Sequence, residues 1–292
     1  MKNGKYHWVV YTGFILIGAA AVWIIIQNSG MIQTSADHDM TIPFWHNWVI
    51  SGVLVLLIAV LGKSSQNNPF IHANKKMLIQ QTGILTAAAL LFVVGLLIVP
   101  NENVFTYFPV FKIVLFLIVP IMMFNLYTEK NPHYKDLTKK TSFLKDNQWF
   151  YPLLITVAWI VLYFFSPVAM PQAPEYETGL YMLIIGAFLS FLINSVLEEL
   201  FYRVWLQTRL EALLGTWPAI MVTALLWAVW HMAIQGGISP DIAFSNVLVN
   251  QGVMGLFLGF LWAKYRNVWV LIIIHGLINL PLQIITALFA TG

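Results

Sequence analysis

Three short polar motifs in the second half of the chain carry side chains that together could hydrolyse an amide bond. Residues 198–203 read EELFYR, residues 227–231 read WAVWH, and residues 275–279 read HGLIN. A carboxylate can activate a water molecule, and imidazole and carboxamide groups can polarise that water or stabilise an oxyanion. This set therefore needs no serine or cysteine nucleophile, and the chain contains no cysteine.

Spacing within the first motif separates its two acids. Glu199 and Arg203 are four residues apart, so on a helix they can form an ion pair. Adjacent residues on a helix point about 100° apart, which leaves Glu198 without a local cation. Glu198 is therefore the better candidate for a general base. Ser190 and Asn194 share its helical stripe and make that face polar.

Each motif also has an ordinary structural explanation. The charges of residues 198–203 could be solvated at a helix end that reaches the cytoplasm. A single histidine such as His231, in an aromatic helix, is more often a hydrogen-bonded core residue than a catalytic one. His275 and Asn279 share one helical face and could simply join two helices by hydrogen bonds.

Composition places the chain in a membrane. Of its 292 residues 59% are hydrophobic and 9% are charged, whereas soluble domains have about 25% charged residues. A spanning helix needs roughly 20 mostly apolar residues. Runs of this kind predict an all-α polytopic membrane protein with about nine transmembrane helices. The predicted spans are 8–28, 48–62, 80–100, 107–127, 148–168, 179–209, 216–235, 244–263 and 268–290.

Charge placement predicts an amino terminus in the cytoplasm and a carboxyl terminus outside. The loops that then face inward hold the basic residues Lys2, Lys5, Lys63, Lys75, Lys76, Lys130, Lys135, Lys139, Lys140, Lys145, Arg209, Lys264 and Arg266. The outward loops hold only the acids Asp37, Asp39, Glu102, Glu175, Glu177 and Asp241. Of the two exceptions, Arg203 belongs to the first motif, and Lys112 is expected to reach the membrane interface from a helix end.

Depth in the membrane links the three motifs. At a rise of 1.5 Å per residue, Glu198 lies about 18 Å from the cytoplasmic end of a sixth helix that continues through Arg203. His231 lies at about 22 Å, His275 at about 12 Å and Asn279 at about 18 Å. The hydrocarbon core is about 30 Å thick, so all four lie near its middle third. Independent structural roles would not predict this shared depth.

A shared depth permits one site with two possible chemistries. Glu198 would activate a water that His231 orients, while His275 and Asn279 would donate to the oxyanion. Glu199 and Arg203 would support this geometry, and water is expected to enter through a cavity open to the cytoplasmic side. The same carboxylate and two histidines could instead bind zinc, and the residues alone leave both versions open.

The three motifs in order resemble the CPBP family of CAAX prenyl endopeptidases and bacteriocin-processing or self-immunity (Abi) membrane proteins. The resemblance covers about residues 180–285, and Trp227 replaces the family's usual Phe. It implies a glutamate-type intramembrane endopeptidase in which Glu198 and His231 activate water, His275 and Asn279 form the oxyanion hole, and Glu199 and Arg203 are supporting residues. It implies no required cofactor, although zinc is an alternative because family members have been described as metalloproteases.

The positions of the polar motifs divide the chain into residues 1–147, four helices of unknown role, and residues 148–292, which contain the part that resembles the family and are expected to form a protease domain with the catalytic helix bundle. The expected partners are a membrane protein or peptide substrate and the lipid bilayer of a bacterial plasma membrane, with no nucleic acid. Two other functions remain open. One is a proton-coupled transporter that uses the buried ionisable groups, and the other is a non-catalytic membrane scaffold or immunity factor.

Overall fold

Ten helices and a two-stranded hairpin form the protein in a computed structural model that describes residues 5–34, 40–61, 68–70, 73–127, 149–171, 176–235 and 238–290. The amino-terminal helices are α1 His7–Asn28, α2 Trp45–Leu61, α3 Lys75–Ile98 and α4 Asn101–Leu126. The next are α5 Phe150–Phe165, α6 Leu180–Leu214, α7 Thr216–Ile234 and α8 Pro240–Tyr265. The last two are α9 Val268–Ile278 and α10 Leu282–Ala290.

The nine predicted spans all coincide with helices, so the all-α polytopic membrane fold is confirmed. Six of the described helices (α1, α3, α4, α6, α7 and α8) are long and apolar enough to cross a membrane. Three shorter apolar helices, α2, α5 and α9, fill the remaining predicted spans. The topology with the amino terminus inside stays a prediction. Many of its lysines, and the boundary after residue 147, lie outside the described residues.

Two predicted helix boundaries are wrong. The last span is not one helix, because α9 ends at Ile278 and α10 begins only at Leu282. Pro281 lies in this break and cannot donate a helical backbone hydrogen bond. The sixth span is longer than expected, since α6 has 35 residues and reaches Leu214. Arg209 therefore lies buried inside α6 rather than in a cytoplasmic loop.

A short hairpin between α1 and α2 was not predicted. Strands β1 Met31–Gln33 and β2 Thr41–Pro43 pair antiparallel, with Met31 opposite Pro43. Ser29 and Gly30 adopt positive φ angles of 53° and 78°, which turn the chain out of α1 toward β1. Asn246 of α8 donates to the carbonyl oxygen of Gln33 at 2.9 Å and fixes the hairpin to the helix bundle.

One hydrophobic core joins the two halves of the sequence around α6. Phe116 of α4 stacks on Phe201 of α6 with ring centroids 4.0 Å apart, and both side chains are fully buried. The same core includes Phe92 of α3 and Trp159 of α5. Because α6 packs within this core, its polar face is held in a fixed position.

Candidate active site

Glu198 lies in the middle of α6, where both of its carboxylate oxygens accept hydrogen bonds. The Lys112 ammonium of α4 donates to Oε1, and the Trp227 indole nitrogen of α7 donates to Oε2. All three side chains are buried. Glu198 follows a π-helical segment, Phe191–Val196, and precedes another, Glu199–Gln207. Such segments recur at functional sites, where they change the direction of neighbouring side chains.

His231 lies in the tighter last turn of α7, within Trp230–Ile234. Its Nδ1 is 2.8 Å from the carbonyl oxygen of Trp227. Because a carbonyl oxygen can only accept, Nδ1 carries the hydrogen, and Nε2 of the neutral ring has a free lone pair. The ring also stacks on Trp230 at 3.7 Å between centroids, which fixes its orientation.

His275 of α9 is held by the second acid of the first motif. Its Nδ1 lies 2.9 Å from Oε1 of Glu199, and both side chains are buried. Oε2 of Glu199 lies 3.5 Å from Nε of Arg203, so the pair expected from their spacing is present. The Arg203 guanidinium lies 5.2 Å from the Trp227 ring centroid and makes a cation–π contact. The two adjacent acids thus hydrogen-bond to different helices, Glu198 to α4 and α7 and Glu199 to α9.

Asn279 caps the carboxyl end of α9, next to the break before α10. Its Nδ2 donates to Oγ of Ser195, at 3.3 Å. Ser195 is fully buried on α6, three residues before Glu198. One hydrogen of the Asn279 amide is used in this contact, and a second hydrogen is left for another acceptor.

A single cavity of about 330 Å³ has Glu198, His231, His275 and Asn279 on its wall. Ser190 and Asn194 of α6 line it as expected for their stripe. A second part of the wall is polar and is formed by Thr34, Asn47, Gln235, Asn250 and Gln251. A third part is apolar and includes Phe105, Phe108, Met170, Ile234, Met254 and Leu280. The cavity therefore has both hydrogen-bonding groups and an apolar surface beside the candidate residues.

The cavity lies toward the hairpin end of the molecule. Its wall includes Thr34 after β1, Tyr176 before α6 and Pro281 after α9. With the amino terminus in the cytoplasm, this end faces away from the lysine-rich loops. The predicted topology and the predicted cytoplasmic opening of the cavity therefore cannot both be right, and each stays a prediction.

Lys112 is the main residue that sequence reasoning misjudged. It does not lie at a helix end and does not reach the interface, because α4 begins at Asn101 and the Lys112 side chain is fully buried. Glu198 consequently has a cation from another helix, a partner that the spacing within its own motif could not reveal. Helices α1–α4 also contribute polar lining, through Asn47. An unpaired positive charge within an apolar run was the one signal in the sequence that could have located this partner.

The side chains do not fit a zinc site. Among the residues that the structure describes, no three His, Asp or Glu side chains are grouped closely enough to hold a metal ion. Lys112 and Trp227 already donate to the two oxygens of Glu198, and an ammonium beside a metal ligand would repel the metal.

Comparison with known proteins identifies the segment that carries the site. Residues 179–281 match the family model described as type II CAAX prenyl endopeptidase, Rce1-like. No curated protein and no solved structure matches the chain significantly. The match contains all three polar motifs and confirms the resemblance found from them. Residues 179–281 of this multi-pass membrane protein are thus similar to the CAAX prenyl endopeptidases, a family of peptide hydrolases.

Proposed function

We propose that this protein is a glutamate-type intramembrane endopeptidase that cleaves a lipidated or membrane-associated protein or peptide. One observation carries the proposal. Glu198, His231, His275 and Asn279 come from three helices and line one cavity, within the segment that matches the endopeptidase family. The apolar and polar parts of the wall suit a substrate with a lipid or apolar side chain next to a peptide backbone.

In this proposal, Glu198 and His231 activate the attacking water molecule. A water molecule donates one hydrogen to the Glu198 carboxylate and the other to Nε2 of His231, which is free because Nδ1 donates to Trp227. The water oxygen attacks the scissile carbonyl carbon while Glu198 takes its proton. Glu198 then passes this proton to the leaving nitrogen as the carbon–nitrogen bond breaks. The products are a carboxylic acid and an amine, which become a carboxylate and an ammonium group when the acid proton passes to the amine, and Glu198 is again a carboxylate.

His275 and Asn279 stabilise the negative oxygen that forms during the attack. Nδ1 of His275 already donates to Glu199, so donation from Nε2 requires hydrogen on both ring nitrogens. The Glu199 carboxylate balances the charge of that ring, and Arg203 in turn balances Glu199. The free hydrogen of Asn279 supplies the second donor. Fixed donors of this kind in a dry site commonly lower a barrier by about 3–4 kcal/mol each.

Cleavage of defined peptides tests the function. Wild-type protein and Glu198→Gln would be purified in detergent and incubated with a library of prenylated, acylated and unmodified peptides, with and without a chelator. Mass spectrometry would identify products. We expect cleavage by the wild type alone, unchanged by the chelator. Equal cleavage by both proteins would contradict the role of Glu198, and loss of cleavage with chelator would require a metal. A folded wild type that cleaves no peptide would favour the scaffold function.

The proposed location is the plasma membrane of a bacterium, with the cavity on the outer side. Substrates would then be peptides or membrane-protein segments that emerge at the outer surface. A prenyl group is not required by this account, which is why unmodified peptides belong in the library.

A further inference from the structure

Lys112 is a lysine in a fully enclosed environment in the middle of α4. Its ammonium donates to Oε1 of Glu198 and, at 2.7 Å, to Oδ1 of Asn194. The rings of Phe108 and Trp230 cover it, with centroids 4.0 Å and 4.5 Å from Nζ. A carboxylate, an amide oxygen and two aromatic faces all favour a cation. All of these groups around Lys112 therefore stabilise its positive charge.

Packing alone does not account for a lysine at this position. Burial of an ammonium carries a desolvation cost that an apolar side chain of similar length, such as methionine, would avoid. The other described lysines of the first half, Lys5, Lys75 and Lys76, are all exposed. Lys112 thus differs from them in having a buried carboxylate as its partner.

A lone carboxylate in a low-polarity cavity does not readily keep its charge. Glu198 must be charged to accept a proton from water, and it must point at the cavity. Lys112 supplies the compensating charge from the α4 side, while Trp227 holds the other oxygen from the α7 side. Phe108 and Trp230 cover the ammonium and also line the cavity. These rings therefore lie between the cavity and Lys112, which contacts Glu198 without lining the cavity itself.

We propose that Lys112 is a positioning residue of the peptidase site, which keeps the Glu198 carboxylate charged and oriented for water activation. This inference rests on the proposed function. It also assigns a role to the first half of the chain, because Lys112 lies outside the matched segment 179–281. The α4 helix would then be part of the active site.

Substitution of Lys112 by methionine tests the role in the full-length protein. With a peptide that the wild type cleaves, we expect Lys112→Met to lower kcat by about a hundredfold and to leave KM within about threefold. Lys112→Arg, which keeps the charge, should retain more of kcat than Lys112→Gln, which keeps only a donor. Lys75→Met is the control at an exposed lysine and should match the wild type.

The outcomes separate the two proposals. If Glu198→Gln is inactive while Lys112→Met keeps or exceeds the wild-type kcat, the role of Lys112 is refuted and the peptidase stands. If Glu198→Gln cleaves as fast as the wild type, the proposed function fails instead. Should Lys112→Met not fold, equal kcat values for Lys112→Arg and Lys112→Gln would refute the positioning role.

A thermal unfolding cycle tests the ion pair without any substrate. Lys112→Met leaves the Glu198 charge unpaired, and Glu198→Gln leaves the lysine charge unpaired, so each should lower the apparent Tm. The double variant should melt higher than the sum of the two shifts predicts, because it leaves neither charge alone. Additive shifts would show that the two groups do not interact and would overturn the proposal even if no peptide is cleaved.

Discussion

Glu198 and Glu199 show how two adjacent residues of one type acquire different tasks. The first faces α4 and α7 and lies on the cavity wall, whereas the second faces α9 and holds His275. Their different partners follow from the 100° turn between neighbours on a helix and from the π-helical segment that begins at Glu199. In the proposed mechanism, these different partners let Glu198 activate water while Glu199 holds His275.

Replacement of Trp227 by phenylalanine tests the second donor to Glu198. Trp227→Phe keeps an aromatic wall and restores the residue usual in the family, but it removes the indole hydrogen bond to Oε2. A hydrogen bond to a charged group contributes about 1.5–3 kcal/mol, so we expect kcat to fall at least about tenfold. Peptide cleavage rates would measure this loss.

The control for this change is Trp217→Phe, at an exposed tryptophan that stacks on Phe260. It should leave kcat unchanged. Equal rates for Trp227→Phe and wild type would mean that Lys112 alone suffices to hold Glu198.

Local spacing predicted the contacts within one helix and missed those between helices. The pair Glu199 and Arg203 is four residues apart and could be found from the sequence. The pair Lys112 and Glu198 is 86 residues apart and depends on how α4 packs against α6. Trp227 could be identified as the residue that replaces the family's usual Phe, but its hydrogen bond to Glu198 depends on the same packing.

At the scale of elements, hydropathy located the helices because a membrane span must be long, apolar and internally hydrogen-bonded. It gave less information on breaks and short strands. Pro281 was a signal for the break between α9 and α10, yet the apolar run continues across it. Strands β1 and β2 have only three residues each, too few for a visible alternating pattern.

The contact between α9 and α6 depends on Gly276. A Cβ atom at this position would lie 2.8 Å from Cε2 of Phe191, in the π-helical segment of α6. Gly276→Ala should therefore push α9 outward and carry His275 and Asn279 away from Glu198. We expect an apparent Tm lower by a few degrees and a cleavage rate at least about tenfold lower.

Gly186 of α6 provides the matched control, because a Cβ atom there would meet no heavy atom within 4 Å. Gly186→Ala should melt at or above the wild-type temperature, since alanine favours a helix more than glycine does. If both alanine variants behave as the wild type, α9 can adapt without loss of the site geometry.

At the scale of the whole molecule, the two sequence halves share one core, and the cavity lies at the end that carries the hairpin. The sequence supplied the number of apolar runs and the charge asymmetry of the loops. It could not supply the direction of the cavity, because that depends on which helix ends separate in three dimensions.

Cysteine labelling tests the predicted orientation, since the natural sequence has no cysteine. Thr178→Cys places a thiol at an exposed residue at the cavity end, and Lys75→Cys places one at an exposed residue at the start of α3. In intact cells, a membrane-impermeant maleimide should label only Thr178→Cys. After permeabilisation it should label both variants. The reverse pattern would place the cavity on the cytoplasmic side and contradict the positive-inside assignment.

The most direct test of the central claim measures binding and cleavage of one peptide by the wild type, Glu198→Gln and Glu177→Gln. Glu177 is exposed before α6 and undergoes the same chemical change. We expect Glu198→Gln to bind the peptide with nearly unchanged affinity and to cleave it about a thousandfold more slowly. Glu177→Gln should cleave at the wild-type rate, and in ¹⁸O-labelled water each new carboxylate should gain one labelled oxygen. Cleavage by Glu198→Gln at the wild-type rate would contradict the account.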